Sequence, residues 1–189
     1  MTVREQYTPS PATGAQVEKN GETWTLVLVR ELRHAPETVW QALTDPVHLR
    51  EWAPFDADRS LGTVGTTARL TTIGAPSPHV TETTVTRADA PKLLEYNWGG
   101  HDMRWKLDAV GSGTRLTLWT SIDRRFISMG AAGWHICFDV LDRLLAGQPI
   151  GRIVGQDAIT FGGWQQLNAE YARQFGVEAP DWPANTPKR

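Results

Sequence analysis

The side chains best suited to nucleophilic or metal-assisted chemistry in this sequence are five histidines and a single cysteine. The histidines stand at positions 34, 48, 79, 101 and 135, and no pair has the i, i+4 or i, i+2 spacing that presents two ligands together on a helix or a strand. His135 and Cys137 lie about 200° apart around a helix, so they cannot act together as base and nucleophile. Cys137 is predicted to be an ordinary packed thiol. The sequence therefore predicts no catalytic residue, no metal site and no cofactor.

Acidic side chains provide no further candidate for catalysis. His101 and Asp102 are neighbours on a predicted strand, where successive side chains point to opposite faces, so they cannot form a dyad. Asp56 and Asp58 lie in a predicted loop, where such a pair is usually solvated. The chain also lacks the nucleophile elbow, the phosphate-binding loop and the zinc-protease motif. Enzymatic activity is therefore left open, with a binding protein favoured.

Aromatic residues carry the positive signal, because nine tryptophans in 189 residues are an unusual number. A pocket is predicted between a sheet and a long helix, bounded by Met103, Trp105, Trp134 and Phe138 and closed near Trp52. Ordinary core packing is the alternative for each ring. The residues predicted to contact a ligand are Trp52, Trp98, His101, Met103, Trp105, Trp134, Phe138 and Arg30.

Two further residues are singled out by strand alternation. Arg30 is in phase with the apolar residues of its strand and is expected to point inward, either paired with Glu82 or facing an anionic ligand group. Trp119 has the opposite phase and is expected on the outer face near Arg104. An outer indole there predicts a cation–π contact or a homodimer interface.

The elements that position these residues follow from hydrophobic periodicity. A strand is predicted at residues 24–32, two short helical turns at 36–52, and five more strands at 66–73, 80–87, 92–98, 101–108 and 114–122. Apolar residues every three or four positions from 127 to 145 predict the longest helix, and residues 164–175 continue the pattern. The fold class is therefore α+β, with a curved antiparallel sheet of about six strands wrapped around a long C-terminal helix.

Composition and charge limit the classes of protein. One domain is predicted at residues 23–176, with flexible tails at 1–22 and 177–189. The net charge of −2 argues against a nucleic-acid partner or an acidic membrane surface. The longest run without charge, residues 126–138, is too short to cross a bilayer, and residues 1–20 lack the apolar stretch of a secretory signal. A cytoplasmic protein without a membrane or nucleic-acid partner is expected.

Several segments carry a resemblance to a known superfamily. Residues 30–52 contain Ala35-Pro36, Val39-Trp40 and the run Ala42-Leu43-Thr44-Asp45-Pro46 before Trp52. Residues 90–98, 113–118 and 133–145 resemble a central strand, the last strand and the C-terminal helix of the same group. Together these segments, which span about residues 24–175, resemble the START-like (SRPBCC) superfamily, in particular the subgroup named after the activator of the heat-shock protein ninety ATPase.

This resemblance implies a helix-grip fold around a cavity for a hydrophobic small molecule. It does not imply one reaction, because function depends on the site. Many members carry His where this chain has Thr120, so a role of that His is not transferred. The co-chaperones of the group have an additional N-terminal domain, and only about twenty residues precede the first predicted strand here. Chaperone activation is therefore poorly supported.

Three functions remain in consideration from the sequence. The favoured one is a START-like module that binds a hydrophobic or aromatic small molecule. The second is an enzyme similar to the polyketide cyclases and aromatases of the superfamily, which needs two convergent titratable side chains in the cavity. The third is a co-chaperone-like protein-binding module, which predicts a closed interior and an exposed apolar patch.

Overall fold

Nine strands and five helices form the part of the chain described by the computed structural model, residues 1–77 and 79–180. The strands are β1 Ala15–Asn20, β2 Thr23–Leu32, β3 Phe55–Ala57, β4 Thr67–Thr72, β5 His79–Thr84, β6 Arg87–Asp89, β7 Leu93–Trp98, β8 His101–Val110 and β9 Gly113–Ser121. The helices are α1 Pro36–Thr44, α2 Pro46–Trp52, α3 Ile127–Leu145, α4 Gln156–Thr160 and α5 Trp164–Phe175. A short 3₁₀ turn, Arg124–Phe126, precedes α3.

The main sheet has six antiparallel strands in the order β1-β2-β9-β8-β7-β6. Strand β8 shows why one face is core, since Met103, Trp105 and Leu107 are buried while Arg104 and Lys106 are exposed. Helix α3 contacts β2 and the short helices α1 and α2, and it fills the concave side of the sheet. The predicted fold class, an antiparallel sheet of about six strands around a long helix, is confirmed.

Strands β3, β4 and β5 form a separate three-stranded antiparallel sheet. The sequence predicted the strands at 66–73 and 80–87, which become β4 and β5, within the single six-stranded sheet, whereas β1 and β6 complete the main sheet instead. The two sheets still meet, because the Asn97 amide donates to the Thr83 hydroxyl over 3.1 Å. Alternation identifies the buried face of a strand but not the edge along which it pairs, so the pattern could not divide the strands between two sheets.

The two short helices begin as their sequences predict. Pro36 occupies the first turn of α1, where its missing N–H costs no hydrogen bond. Asp45 caps α2 by accepting a hydrogen bond from the Val47 amide over 2.9 Å, and Pro46 follows it. Trp52 at the end of α2 is buried, and its indole N–H donates to the Ala42 carbonyl over 2.9 Å. This bond fixes the two helices to each other.

The N-terminal residues are built into the domain, in contrast to the flexible tail predicted for residues 1–22. Strand β1 extends the sheet by pairing with β2 in a hairpin around Gly21. Tyr7 is only 5% exposed, because its ring packs in the core and its hydroxyl donates a hydrogen bond to the buried Asp139 carboxylate. The signal in β1 is weak because Val17 is its only large apolar residue. Of the C-terminal tail predicted at 177–189, residues 181–189 lie outside the described residues.

Candidate functional site

A cavity of about 450 Å³ lies beside α3, at the end of the main sheet where β8 begins and β9 ends. Trp98, His101 and Thr120 line it from the sheet, and α3 contributes Trp134 and Cys137. A third wall comes from residues 72–75 at the end of β4, and a fourth from residues 153–159 around α4. The cavity therefore has two walls from main-sheet strands and α3, and two from the connecting segments after β4 and around the short helix α4, which we call the loop walls.

Two glycines of α3 make room for the cavity. Gly130 and Gly133 both line it, on successive turns of the helix. A Cβ placed on Gly133 would meet no atom within 4 Å, so this position opens directly onto empty space. A Cβ on Gly130 would lie 2.5 Å from the Cδ1 of Ile122, which packs against the helix there. Glycine inside a helix destabilises the helix by about 1 kcal/mol relative to alanine. At Gly133 the missing side chain leaves this volume to the cavity.

The loop walls meet at two further glycines. Gly74 follows β4 and Gly155 precedes α4, and both have positive φ, 82° and 57°. A Cβ on Gly155 would lie only 2.4 Å from the Gly74 carbonyl oxygen, so the two backbones are in direct contact. Neither position tolerates a larger residue without moving the loops apart. This contact holds the two loop walls of the cavity together.

Two polar side chains of the cavity donate hydrogen bonds within the protein. The Trp98 indole N–H donates to the Thr72 hydroxyl over 3.3 Å, and the Thr120 hydroxyl donates to the Met103 sulfur over 3.2 Å. Burial raises the pKa of the Cys137 thiol to about 12, so the thiol stays neutral and unreactive at physiological pH. The cavity is thus apolar over most of its wall.

His101 is the imidazole of this cavity. It begins β8 directly opposite Trp98 in the β7–β8 hairpin. Its Nδ1 lies 2.7 Å from the Ser121 carbonyl oxygen, and its side chain is exposed and lines the cavity. The ring is therefore held in place on one side and accessible on the other.

The structure separates the predicted ligand-contacting residues into three groups. Trp98, His101 and Trp134 line the cavity. Trp52, Met103, Trp105 and Phe138 are buried in the core next to it, where the Trp105 ring centroid lies 5.6 Å from that of Trp134 and 6.0 Å from that of Phe138. The pocket predicted between these rings is wrong in position, because the rings contact one another in edge-to-face and tilted arrangements and fill that space themselves. The cavity lies one helical turn further toward the N-terminus of α3.

Arg30 forms the third group. Its guanidinium points inward as the alternation predicted, but the predicted partner Glu82 is wrong, since Glu82 lies on the surface beside Arg69. The partner is Asp139 of α3, whose Oδ1 lies 2.7 Å from Arg30 Nη1. Asp139 follows Phe138, and the Arg30 guanidinium also lies over the Phe138 ring at 5.9 Å. Arg30 is therefore paired within the core and does not line the cavity described above.

Asp139 is the centre of a buried polar cluster that joins four segments, which we call the Asp139 cluster. Its carboxylate accepts hydrogen bonds from the Tyr7 hydroxyl at 2.6 Å and from the Ser10 hydroxyl and amide at 2.6 and 2.9 Å. Its members come from the N-terminal segment, β2, α3 and α5. They are Tyr7, Ser10, Arg30, His135, Asp139 and Tyr171.

The charges of this cluster follow from its contacts. Burial opposes ionisation of Asp139, but the Arg30 charge and the hydrogen bonds of Ser10 and Tyr7 outweigh it and lower the pKa of the carboxyl below its usual value. Burial lowers the pKa of His135, so this imidazole is neutral. Burial also raises the pKa of Tyr171 to about 12, and its hydroxyl lies 2.7 Å from His135 Nδ1. The cluster thus has one ion pair, Arg30 with Asp139, surrounded by neutral groups, which suits a structural role.

The outer face of the sheet carries Trp119, as its alternation predicted. The Arg104 guanidinium lies 5.1 Å from the centre of the Trp119 ring, on the neighbouring strand β8. This cation–π contact covers one face of the indole. The homodimer interface considered for this residue stays a prediction.

Sequence reasoning missed the glycines and the loop walls of the cavity. Glycine in a long amphipathic helix was the available signal, because Gly130 and Gly133 lower helix propensity without any turn nearby. The loop walls gave no comparable signal. Their contact joins residue 74 to residue 155, which no local pattern reports.

The described part of the chain contains neither a membrane-spanning helix nor a cluster of metal-binding side chains. No helix within residues 1–77 and 79–180 is long and apolar enough to cross a bilayer. In the same ranges, no three His, Cys, Asp or Glu side chains converge as ligands for a metal ion. The expected absence of a cofactor stays a prediction.

Known structures share this architecture. A conserved protein of unknown function from Enterococcus faecalis is 19% identical over 85% of this chain and 89% of its own, with a TM-score of 0.63. CalU16 from Micromonospora echinospora is 18% identical over 85% of this chain and 93% of its own, with a TM-score of 0.59. DynU16, from the dynemicin biosynthetic locus, is 22% identical over 67% of this chain and 49% of its own, with a TM-score of 0.58. At these identities the likeness establishes the fold alone.

A family model identifies the chain more closely. No curated protein matches the sequence. The model described as Activator of Hsp90 ATPase homolog 1-like protein matches residues 33–146, which run from the end of β2 to the end of α3. This range covers more than half of the 189 residues and includes the sheet wall of the cavity and the α3 glycines. The protein therefore belongs to the Activator of Hsp90 ATPase homolog 1-like family.

Proposed function

We propose that this protein binds an apolar or aromatic small molecule in the cavity beside α3. The observation that carries the proposal is a 450 Å³ space that opens onto Gly133 and is bordered by the indoles of Trp98, Trp134 and Trp164. Binding sites for small molecules typically range from about 300 to 1,000 Å³ and have mostly apolar walls. A cavity of this kind inside a well-packed domain is an open site rather than a packing defect.

The enzyme alternative receives less support from the side chains present. An acid–base reaction of the cyclase type needs two titratable groups that converge on the substrate. Among the lining residues in the described ranges, only His101 and Cys137 have ionisable side chains, and the Cys137 thiol stays neutral at physiological pH. Arg30, the second candidate from the sequence, is bound to Asp139. Binding without a reaction is therefore the better supported proposal.

The co-chaperone alternative also fits less well. It predicts a closed interior together with an apolar patch for a protein partner. Phe126, at the start of α3, is 48% exposed, but it borders the cavity opening rather than a flat surface. An exposed ring at a cavity entrance suits the passage of an apolar ligand.

A cavity-filling series tests the proposal. Gly133→Leu places a branched side chain in the space that now lies open, whereas Gly133→Ala adds a single methyl group. Ala169→Leu makes the same kind of addition on the exposed face of α5 and serves as the matched control. Naphthalene and 2-naphthol are suitable probes, and their binding is followed by quenching of tryptophan fluorescence and by native mass spectrometry.

We expect the wild type and Ala169→Leu to bind these probes alike. Gly133→Leu should weaken binding by roughly 5- to 150-fold, since overpacking an occupied site typically costs about 1–3 kcal/mol. Gly133→Ala should have a much smaller effect. If the wild type binds neither probe, and carries no small molecule after purification, the proposal is wrong.

A further inference from the structure

The polar side chains that line the cavity differ in whether their hydrogen-bonding groups are already paired within the protein. The Trp98 N–H and the Thr120 hydroxyl already donate hydrogen bonds, to Thr72 and Met103. His101 differs, because among the described residues only its Nδ1 has a hydrogen-bond partner. His101 therefore offers a ligand an acceptor nitrogen, whereas the indole N–H of Trp134, which also lines the cavity, can only donate.

The chemistry of the free nitrogen follows from the bound one. His101 Nδ1 lies 2.7 Å from the Ser121 carbonyl oxygen, and a carbonyl oxygen only accepts hydrogen bonds. Nδ1 must therefore carry the hydrogen, and in the neutral ring Nε2 holds a lone pair. The cavity thus presents a hydrogen-bond acceptor, which calls for a ligand with an O–H or N–H donor.

The charge of the cavity wall restricts the ligand further. Among the lining residues within the described ranges, none is Lys, Arg, Asp or Glu. Arg152 lies close enough to Cys137 to influence it, but its guanidinium does not line the cavity and binds Asp56. A carboxylate buried here would face a desolvation cost with no ion-pair partner on the wall. An uncharged ligand avoids this cost.

The position of the acceptor fits an aromatic ring. His101 and Trp98 are directly opposed on β8 and β7, and opposed side chains of a hairpin lie about 4.5–5.5 Å apart at Cβ. A ring that packs against the Trp98 indole therefore has its edge within reach of His101. A hydroxyl on that edge can therefore approach Nε2.

We infer that His101 selects uncharged hydroxylated aromatic compounds, accepting the hydrogen bond of a phenolic O–H at Nε2. This inference rests on the proposed function and adds the chemical class of the ligand. Plain hydrocarbons bind the same cavity more weakly because they leave Nε2 without a donor. Aromatic carboxylates bind more weakly still.

Three matched probes test the inference: naphthalene, 2-naphthol and 2-naphthoate. For the wild type we expect 2-naphthol to bind roughly 2- to 12-fold more tightly than naphthalene, as one net hydrogen bond allows, and 2-naphthoate to bind most weakly. In His101→Leu the ratio of the naphthalene and 2-naphthol dissociation constants should fall to about one. His101→Asn, whose amide oxygen also accepts, should restore part of the preference. His79→Leu, at an exposed histidine of β5, is the matched control and should keep the wild-type ratio.

The outcomes separate this inference from the proposed function. If naphthalene binds but 2-naphthol gains nothing, or gains equally in His101→Leu, the inference is wrong while the cavity remains a binding site. If 2-naphthoate binds most tightly, the uncharged class is wrong, and Arg152, whose Nη1 has no partner among the described residues, becomes the group to test. If no probe binds the wild type, the proposed function itself fails. Nitrogen-15 NMR of wild-type His101 decides independently of the variants, because 2-naphthol must shift Nε2 and naphthalene must not.

Discussion

The Asp139 cluster allows the effect of a single substitution to be worked out from its contacts. Asp139 is 7% exposed and accepts four hydrogen bonds, two from Ser10 and one each from Tyr7 and Arg30. Asp139→Asn retains the shape but removes the charge, and it turns one acceptor into an N–H₂ group that faces donors. Removing one partner of a buried ion pair costs about 3–5 kcal/mol, because the other charge is left without compensation. Arg30 is 19% exposed and can reach water in part, so we expect a loss near the lower end, about 3 kcal/mol.

Urea unfolding at pH 7, followed by tryptophan fluorescence, measures this loss directly. For a chain of this size, each kcal/mol shifts the melting temperature by about 2–4 °C, so Asp139→Asn should melt about 6–12 °C lower. Asp142→Asn is the matched control, since Asp142 is an exposed carboxylate on the same helix. We expect the control to remain close to the wild type, as surface substitutions usually do. A loss below about 1 kcal/mol for Asp139→Asn, or one no larger than the control's, would refute the assignment of Asp139 as the charged centre of the cluster.

Three other perturbations have definite expected results. The free energy of unfolding should decrease as the pH falls below about 6.5, because the unfolded chain takes up a proton that folded His135, with its lowered pKa, does not. Below about pH 4 the free energy of unfolding should decrease further, because Asp139 has a lowered pKa in the folded protein and is therefore protonated first in the unfolded chain. Urea unfolding midpoints measured from pH 8 to 3 should show both decreases, and His135→Gln should remove the one that begins near pH 6.5. Gly133→Ala should raise the melting temperature by about 2–4 °C, because alanine has a helix propensity about 1 kcal/mol better and its methyl group meets no neighbouring atom. If calorimetry finds no rise, the space at this position is not open. Arg104→Ala should increase self-association in sedimentation velocity, because it uncovers the Trp119 indole. An unchanged sedimentation coefficient would show that Arg104 does not prevent association through this apolar surface.

The sequence predicted those features that depend on local periodicity. Residues 101–108 alternate clearly, and β8 indeed buries Met103 and Trp105 while exposing Arg104. The helix predicted at 127–145 has the bounds of α3. These predictions are correct because the side of the helix or sheet on which a residue lies depends on its spacing along its own segment. It does not depend on contacts with distant parts of the chain.

The site depended instead on contacts between distant parts of the chain. Alternation placed Arg30 inward but suggested Glu82 or a ligand group as its partner, and could not identify Asp139, which lies 109 positions away. The aromatic residues were identified, yet whether Trp105 and Phe138 leave space or fill it depends on ring orientation, which only the packed structure determines. Thr120 was noted as a departure from the family, and its hydroxyl turned out to bind the Met103 sulfur at the cavity wall.

The Asp139 cluster also has a consequence for how the chain folds during its synthesis. Ser10 and Asp139 are separated by 129 positions, so the N-terminal segment leaves the ribosome long before its partner exists. At about 5–20 residues per second, this delay is roughly 6 to 26 s. During that time β2 also lacks β9, the neighbour with which its central residues pair. Tyr7 and Ser10 can therefore reach their final positions only after α3 has emerged, and the N-terminal segment should stay open to proteases in every nascent chain that ends before Asp139.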